Sequence, residues 1–132
     1  MKGILIFLLT IGLFLLSASA EGANWKFILT DKHGKAVYID TESIRHVSKT
    51  VVRAWFKIIN KNPEPFHSKE IVVSLDYQEH DCIERKLCLL QVEHKYSDGT
   101  TDSMTFPVKK WSYIRPDTIE SVIHNYLCKK GK

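Results

Sequence analysis

The sequence predicts an α+β domain: an antiparallel, strongly curved sheet of about six strands with one C-terminal helix packed on one face. Three observations lead to this prediction. Apolar and polar residues alternate with a period of two over most of the chain, which is typical of strands. Turn signals containing glycine, aspartate or proline separate these segments. Only the last segment has the helical period of 3.6 residues.

The first 20 residues have the composition of a secretory signal peptide. Residues 3–16 are dominated by apolar side chains, Lys2 precedes them, and Ala18 and Ala20 form an A-x-A cleavage motif. The apolar run is shorter than the roughly 20 residues that cross a bilayer. We therefore expect cleavage after Ala20, no stable membrane anchor afterwards, and an exported single domain over residues 21–132, located in the periplasm, at the cell surface or in the medium.

The period of two predicts six strands, at residues 24–30, 35–40, 49–60, 70–78, 84–97 and 100–108. Asp31 to Gly34 connects the first pair, and the Asp98-Gly99 dipeptide between the last pair favours a hairpin with a type I′ turn. Residues 61–69 contain two prolines and are predicted to form a loop. Residues 109–115 are predicted to be a connector.

The final segment is predicted to be an amphipathic helix. Five apolar residues fall on one stripe, namely Ile119, Val122, Ile123, Tyr126 and Leu127. Asp117 and Glu120 have the spacing of a capping box. This pattern predicts a helix that packs its stripe on the sheet and turns His124 towards solvent.

Three cysteines cannot all pair, so one thiol is expected to be free. Export favours a disulfide, because small secreted domains use disulfides to supplement a small core. Strand alternation puts Cys88 on the same face as Leu90 and Val92, which predicts a buried thiol. Cys82 lies in the preceding turn and Cys128 ends the helical stripe. A Cys82–Cys128 disulfide with Cys88 free is therefore favoured, and a Cys88–Cys128 disulfide is the alternative.

The composition indicates a binding protein more than an enzyme. The net charge is +4, with the 19 basic residues mixed among 15 acidic ones, so the basic stripe expected of a nucleic-acid-binding protein is missing from the sequence. We find no G-x-S-x-G motif, glycine-rich phosphate loop or H-E-x-x-H motif. We therefore predict no catalytic residues, no cofactor and no metal. His80 with Asp81 keeps a small metal-binding protein or enzyme as an alternative.

An ordered set of motifs resembles the bacterial surface-adhesin protein E family over about residues 24–128. The motifs are VYIDTESI (37–44), VVRAWFK (51–57), DCIERK (81–86), YSDGT (96–100), IRPDT (114–118) and the final LC (127–128). The resemblance implies an exported antiparallel sheet whose C-terminal helix is tied down by a disulfide matching Cys82 and Cys128. It also implies a role in binding proteins at or outside the cell envelope.

The sequence also suggests where a protein partner of unknown identity would bind. Alternation in residues 49–60 turns Phe56 into the core and leaves Trp55 on the opposite face, and tryptophan and arginine are enriched at binding hot spots. Leu87 and Leu89 are expected on that second face. The candidate interface is Arg53, Trp55, Lys57, Leu87 and Leu89. Two alternatives stay open: residues 61–69 cover Trp55, or the protein is a periplasmic structural or accessory protein, possibly a homodimer, with no host ligand.

Overall fold

The computed structural model describes residues 23–130, so the predicted signal peptide at residues 1–20 lies outside the described residues. The elements are β1 (Trp25–Thr30), β2 (Lys35–Asp40), β3 (Arg45–His46), β4 (Val51–Phe66), β5 (Lys69–Asp81), β6 (Lys86–Tyr96), β7 (Thr101–Thr105), β8 (Ser112–Tyr113) and α1 (Ile119–Lys130). The α+β class is confirmed. The strand number rises from about six to eight because β3 and β8 are two-residue strands that alternation does not detect.

All strand pairings are antiparallel and form one sheet in the order β1-β2-β4-β5-β6-β7. β3 adds to β4, and β8 adds to β6. The strands at the two ends of this order, β1 and β7, do not pair with each other, so the sheet is open. We call the face on which α1 packs the inner face and the opposite one the outer face.

The core lies between α1 and the inner face. Ile123 and Leu127 of the helix form one buried cluster with five side chains of β2 and β4, namely Val37, Ile39, Val52, Ala54 and Phe56. Val122, which the sequence placed on the same stripe, is 43% exposed. The helical period therefore predicted the centre of the contact correctly and its width incorrectly.

A disulfide joins Cys82, just after β5, to Cys128 in the last turn of α1, with the two Cα atoms 5.6 Å apart. This confirms the favoured pairing, and Cys88 is a free, buried cysteine. The bond attaches the C-terminal end of the helix to the sheet. Among residues 23–130, no helix has the length and apolar content needed to span a membrane.

The helix start differs by one residue from the prediction. Thr118, not Asp117, is the capping residue: its Oγ1 accepts a hydrogen bond from the Ser121 amide at 3.2 Å. Ser121 returns the interaction, because its Oγ accepts from the Thr118 amide at 3.2 Å. Asp117 has a φ of 60° and lies before the helix. Ser121, three residues after the cap, therefore accepts the hydrogen bond that the capping-box pattern assigned to Glu120.

Residues 61–69 are not a loop. β4 continues through them to Phe66 and turns at His67 into β5, so the prediction from the two prolines is wrong. The pairing jumps from Ile59 opposite Val73 to Glu64 opposite Ile71, which leaves residues 60–63 as a bulge. Pro63 lies inside this bulge, where its missing N–H leaves the strand ladder intact.

The Asp98-Gly99 hairpin is confirmed, but its turn is not type I′. In the part of the chain that the structure describes, Gly99 has a φ of 85° and Asp98 does not have a positive φ. The Tyr96 amide donates to the Thr100 carbonyl at 2.9 Å, and the Gly99 amide donates to the Tyr96 carbonyl at 3.0 Å. The loop therefore has three residues, 97–99, with glycine in the left-handed position.

Candidate interaction surface

Trp55 lies on the outer face, as the alternation in β4 predicted. Its Cα partner across the sheet is Tyr77 of β5, and the two rings are stacked with centroids 4.9 Å apart and an interplanar angle of 13°. Trp55 is half-buried. Phe66, which was considered as its alternative cover, instead contacts His67 and His94, with ring centroids at 4.4 and 5.1 Å.

The outer face carries an aromatic strip, which we define as Trp25, Phe27, Tyr38, Trp55 and Tyr77. Lys57 lies within this strip: its Nζ is 4.7 Å from the ring centroid of Trp25 and 5.3 Å from that of Tyr38. Each such cation–π contact stabilises by about 0.5–1 kcal/mol at an exposed site. Phe27 packs edge-on against Tyr38 and is 52% exposed. The strip is therefore an ordered apolar surface with one positive charge held over its rings.

Leu87 and Leu89 do not belong to this surface. The register pairs Leu87 with His80 and Leu89 with Gln78, and these positions align with Val52 and Ala54 on the inner face. The five residues of the predicted interface therefore divide between two faces. The error comes from a bulge in β6: Leu89 lies opposite Gln78 and Gln91 opposite Tyr77, so that Leu90 is an extra residue that reverses the alternation.

Cys88 is buried as predicted, but the same bulge puts it on the outer face. Its Cα partner is Glu79, and its Sγ lies 3.6 Å from the Glu79 carboxylate. Burial and the neighbouring Glu79 carboxylate raise the pKa of the Cys88 thiol to about 11. The thiol is thus held in its protonated, unreactive form at neutral pH.

Glu79 is only 1% exposed and is neutralised by two basic side chains. Arg53 Nε lies 3.2 Å from its Oε1, and Lys109 Nζ lies 2.9 Å from its Oε2. Burial would raise the pKa of the Glu79 carboxyl, but the hydrogen bond from Lys109 and the charges of Arg53 and Lys109 outweigh it and lower the pKa. Arg53 is therefore a counter-ion as well as a surface residue.

Sequence reasoning missed Glu79 and Lys109. A glutamate in an alternating strand has the pattern of a solvated residue, and Lys109 lies 30 positions away in a segment without periodicity. The ion pair brings the segment 106–111 against the Glu79 end of the outer face. Trp111 of the same segment lies under Lys86, with Nζ 5.4 Å from the ring centroid.

We predict that iodoacetamide does not modify Cys88 in the native protein at pH 8, because the thiol is buried and its pKa is high. Mass spectrometry of the intact protein after timed alkylation would measure this. The matched control is the same protein in denaturant with its disulfide intact, where one thiol should react completely. Rapid alkylation of the native protein would contradict the buried position of Cys88.

The described residues contain no group of three or more histidine, cysteine, aspartate or glutamate side chains arranged to hold a metal ion. The outer face instead carries the aromatic strip with the Lys57 ammonium over its rings, and at one end the Glu79 carboxylate, which is paired with two basic side chains. This chemistry suits contact with another macromolecule through apolar burial and hydrogen bonding.

Comparison with known proteins identifies the fold and the family. The surface-adhesin protein E family model matches residues 25–129. Crystal form II of Haemophilus influenzae protein E superposes with a TM-score of 0.59 at 18% identity, covering 80% of this chain and 90% of that one. Its selenomethionine form gives 0.56 at 18% identity, covering 78% and 85%. Protein E from non-typeable Haemophilus influenzae gives 0.55 at 17% identity, covering 78% and 75%.

No curated protein matches this chain. The solved structures are less than 25% identical to this chain in sequence, so the comparison with them establishes a common fold and nothing further. The family match is stronger, because it covers nearly all of the residues that the structure describes and confirms the resemblance found in the motifs. The chain belongs to the surface-adhesin protein E family.

Proposed function

We propose that this protein is an exported, non-catalytic binding module that engages a protein partner at or outside the cell envelope through its outer face. The observation that carries the proposal is the aromatic strip with Lys57 on the sheet face that α1 leaves uncovered. Membership of an adhesin family and the predicted signal peptide at residues 1–20 support export and binding without turnover.

The strip has the properties of an interface centre. Large aromatic side chains bury much apolar area with few rotatable bonds, and partly exposed apolar patches with a polar rim mark interaction sites. Trp55 and Tyr77 are already stacked, so binding would order few additional torsions. Phe27 and Ile59 are large apolar side chains of this face and are 52% and 37% exposed.

Of the residues proposed from the sequence, Trp55 and Lys57 belong to the centre of this interface and Arg53 to its rim. Arg53 also neutralises Glu79, so changing it would alter stability together with binding. The exposed residues Phe27 and Ile59 avoid this complication.

We predict that Phe27→Ser with Ile59→Ser weakens partner binding at least tenfold, because the double change removes exposed apolar area from the outer face and leaves the core intact. The matched control is Val122→Ser on α1, which removes a similarly exposed apolar side chain from the other side of the domain. Binding is measured by retention of envelope and extracellular-matrix proteins on the immobilised protein, with sedimentation velocity reporting self-association.

The same experiment distinguishes a different protein from a second copy of this chain as the partner. Loss of matrix or envelope binding in the double variant alone would support a heterologous partner. Loss of a dimer would support a second copy of this chain on the strip. Unchanged binding and unchanged association state in the double variant would contradict the proposal, provided that its circular-dichroism spectrum and thermal melt remain those of the wild type.

A further inference from the structure

Two buried histidines connect the sheet to the helix on the inner face. His80 of β5 and His124 of α1 are both buried, with 0% and 1% exposure, and their Nδ1 atoms lie 2.9 Å apart. The sequence analysis assigned His124 to the exposed side of the helix, which is wrong, because the last turns of α1 lie against β5. The pair has no part in the proposed outer-face interaction.

Hydrogen bonding fixes which nitrogens carry protons. His80 Nε2 lies 2.8 Å from the Gln78 carbonyl oxygen, Oε1, which can only accept, so His80 Nε2 must donate. Neutral His80 then has no proton on Nδ1, and His124 Nδ1–H donates to it. Gln78 in turn donates to the half-buried Asp76 carboxylate. The contact between the two rings fails when both facing nitrogens carry a proton.

The surroundings of the pair offer little compensation for positive charge. From β4, the Phe56 ring lies 6.1 Å from His80, and the adjoining core side chains are apolar. On β5, Asp76 lies beyond Gln78. Burial lowers the pKa of His80 to about 3, and the charge of His124 adds to this effect. Burial, followed by the charge of Arg85, also lowers the pKa of His124, and Asp81 opposes this only in part.

Protons can reach the pair through His124. Its Nε2 lies 3.6 Å from the Cys128 sulfur, and the ring borders a surface hollow lined by Cys82, Arg85, Asn125 and Lys129. Arg85 and Lys129 are basic, so the hollow disfavours an imidazolium while it admits water. The uncharged pair is therefore the form that fits the docked helix.

We propose that the His80–His124 pair is an acid-sensitive latch, which holds the C-terminal half of α1 on the inner face and releases it when the rings take up protons. The Cys82–Cys128 disulfide keeps the released helix attached, so that the opening is local and reversible. Release would uncover apolar inner-face side chains such as Val52 and Phe56, which α1 covers at neutral pH.

The direction of the pH dependence follows from linkage. In the released state both histidines have their ordinary pKa near 6.5, whereas in the docked state both pKa values are lower. The released state therefore binds more protons below pH 6.5, and the docked state loses stability as the pH falls. Because the docked pKa of His80 is about 3, this histidine alone should raise the opening constant about 30-fold between pH 7.5 and pH 5, and His124 should raise it further in the same direction.

Amide hydrogen exchange of the disulfide-bonded protein at several pH values between 7.5 and 5 tests the proposal. Protection factors of the α1 amides should fall by more than about 30-fold in the wild type. They should fall about 30-fold in His124→Gln, which can still donate to His80 but cannot be protonated, and hardly at all in His80→Gln with His124→Gln. His33→Gln, at an exposed turn, is the matched control and should behave as the wild type.

A ring-nitrogen NMR titration of the wild type gives a second measurement that does not depend on any variant folding. His80 should stay neutral in the docked state at pH 5, and His124 should titrate below its ordinary pKa. The proposal is overturned if these rings titrate near pH 6.5 in the docked state, or if the α1 amides lose less than tenfold protection. It is also overturned if β4, β5 and β6 lose protection together with α1, because acid would then act on the whole domain.

Discussion

Replacing Ile123 by aspartate should unfold the domain at 25 °C, whereas the same replacement at Val122 should leave it folded. Ile123 is buried in the cluster between α1 and the inner face. Losing this side chain alone should destabilise by about 2–5 kcal/mol, and an unpaired buried carboxylate adds several more. The sum approaches the roughly 5–15 kcal/mol that holds a whole domain together.

Val122 is the matched control because it is the neighbouring residue, has a similar side chain and is 43% exposed. Its replacement by aspartate should change the free energy of unfolding by less than about 1 kcal/mol. Urea titrations followed by circular dichroism would compare the two variants. Similar damage from both changes would mean that α1 does not dock through the face that Ile123 occupies.

The centre of this contact could be predicted from the sequence because a helical period needs only the positions of apolar residues. Ile123 and Leu127 recur four residues apart and therefore lie on one stripe whatever the sheet does. The partner of His124 could not be predicted in the same way. It is His80, 44 residues earlier on a strand, and polarity alone assigns both residues to the surface.

The six longer strands could be located from the sequence, but the phase of β6 could not be predicted. Alternation located the hydrophobic segments, but a one-residue bulge reverses the face of every residue beyond it. In β6 the bulge at Leu90 moves Cys88 to the outer face, and Leu87 and Leu89 to the inner face. Bulges are set by the pairing of two strands, so a single strand's residue pattern contains no marker for this one.

The outer face was predictable in part. Trp55 and Lys57 lie in β4 before its bulge, so alternation placed them correctly. The stacking of Trp55 on Tyr77, and the position of Lys57 over Trp25, depend on the register between strands that are far apart in sequence. Glu79 depends on a contact with Lys109 outside the regular strands. Such pairings become visible only in the folded chain.

Removing the disulfide by Cys82→Ala with Cys128→Ala should lower the free energy of unfolding by about 4 kcal/mol, the second largest effect expected. The two cysteines are 46 residues apart, and the chain-entropy model gives roughly this value for a loop of that length. The loss arises mainly in the unfolded chain, which gains conformational freedom. The folded double variant should therefore retain the far-UV circular-dichroism spectrum of the wild type.

The matched control is Cys88→Ala, which removes a buried thiol without opening a cross-link and should destabilise by about 1 kcal/mol. Urea unfolding of the three proteins, with peptide mapping of the non-reduced wild type, measures both the energy and the connectivity. A loss below about 1 kcal/mol in the double variant, or a cross-link that includes Cys88, would contradict the prediction. Because Cys128 lies in the last turn of α1, the double variant should also show its largest loss of hydrogen-exchange protection in the last turns of that helix. The His80–His124 contact would then be the main remaining polar link between this part of the helix and β5.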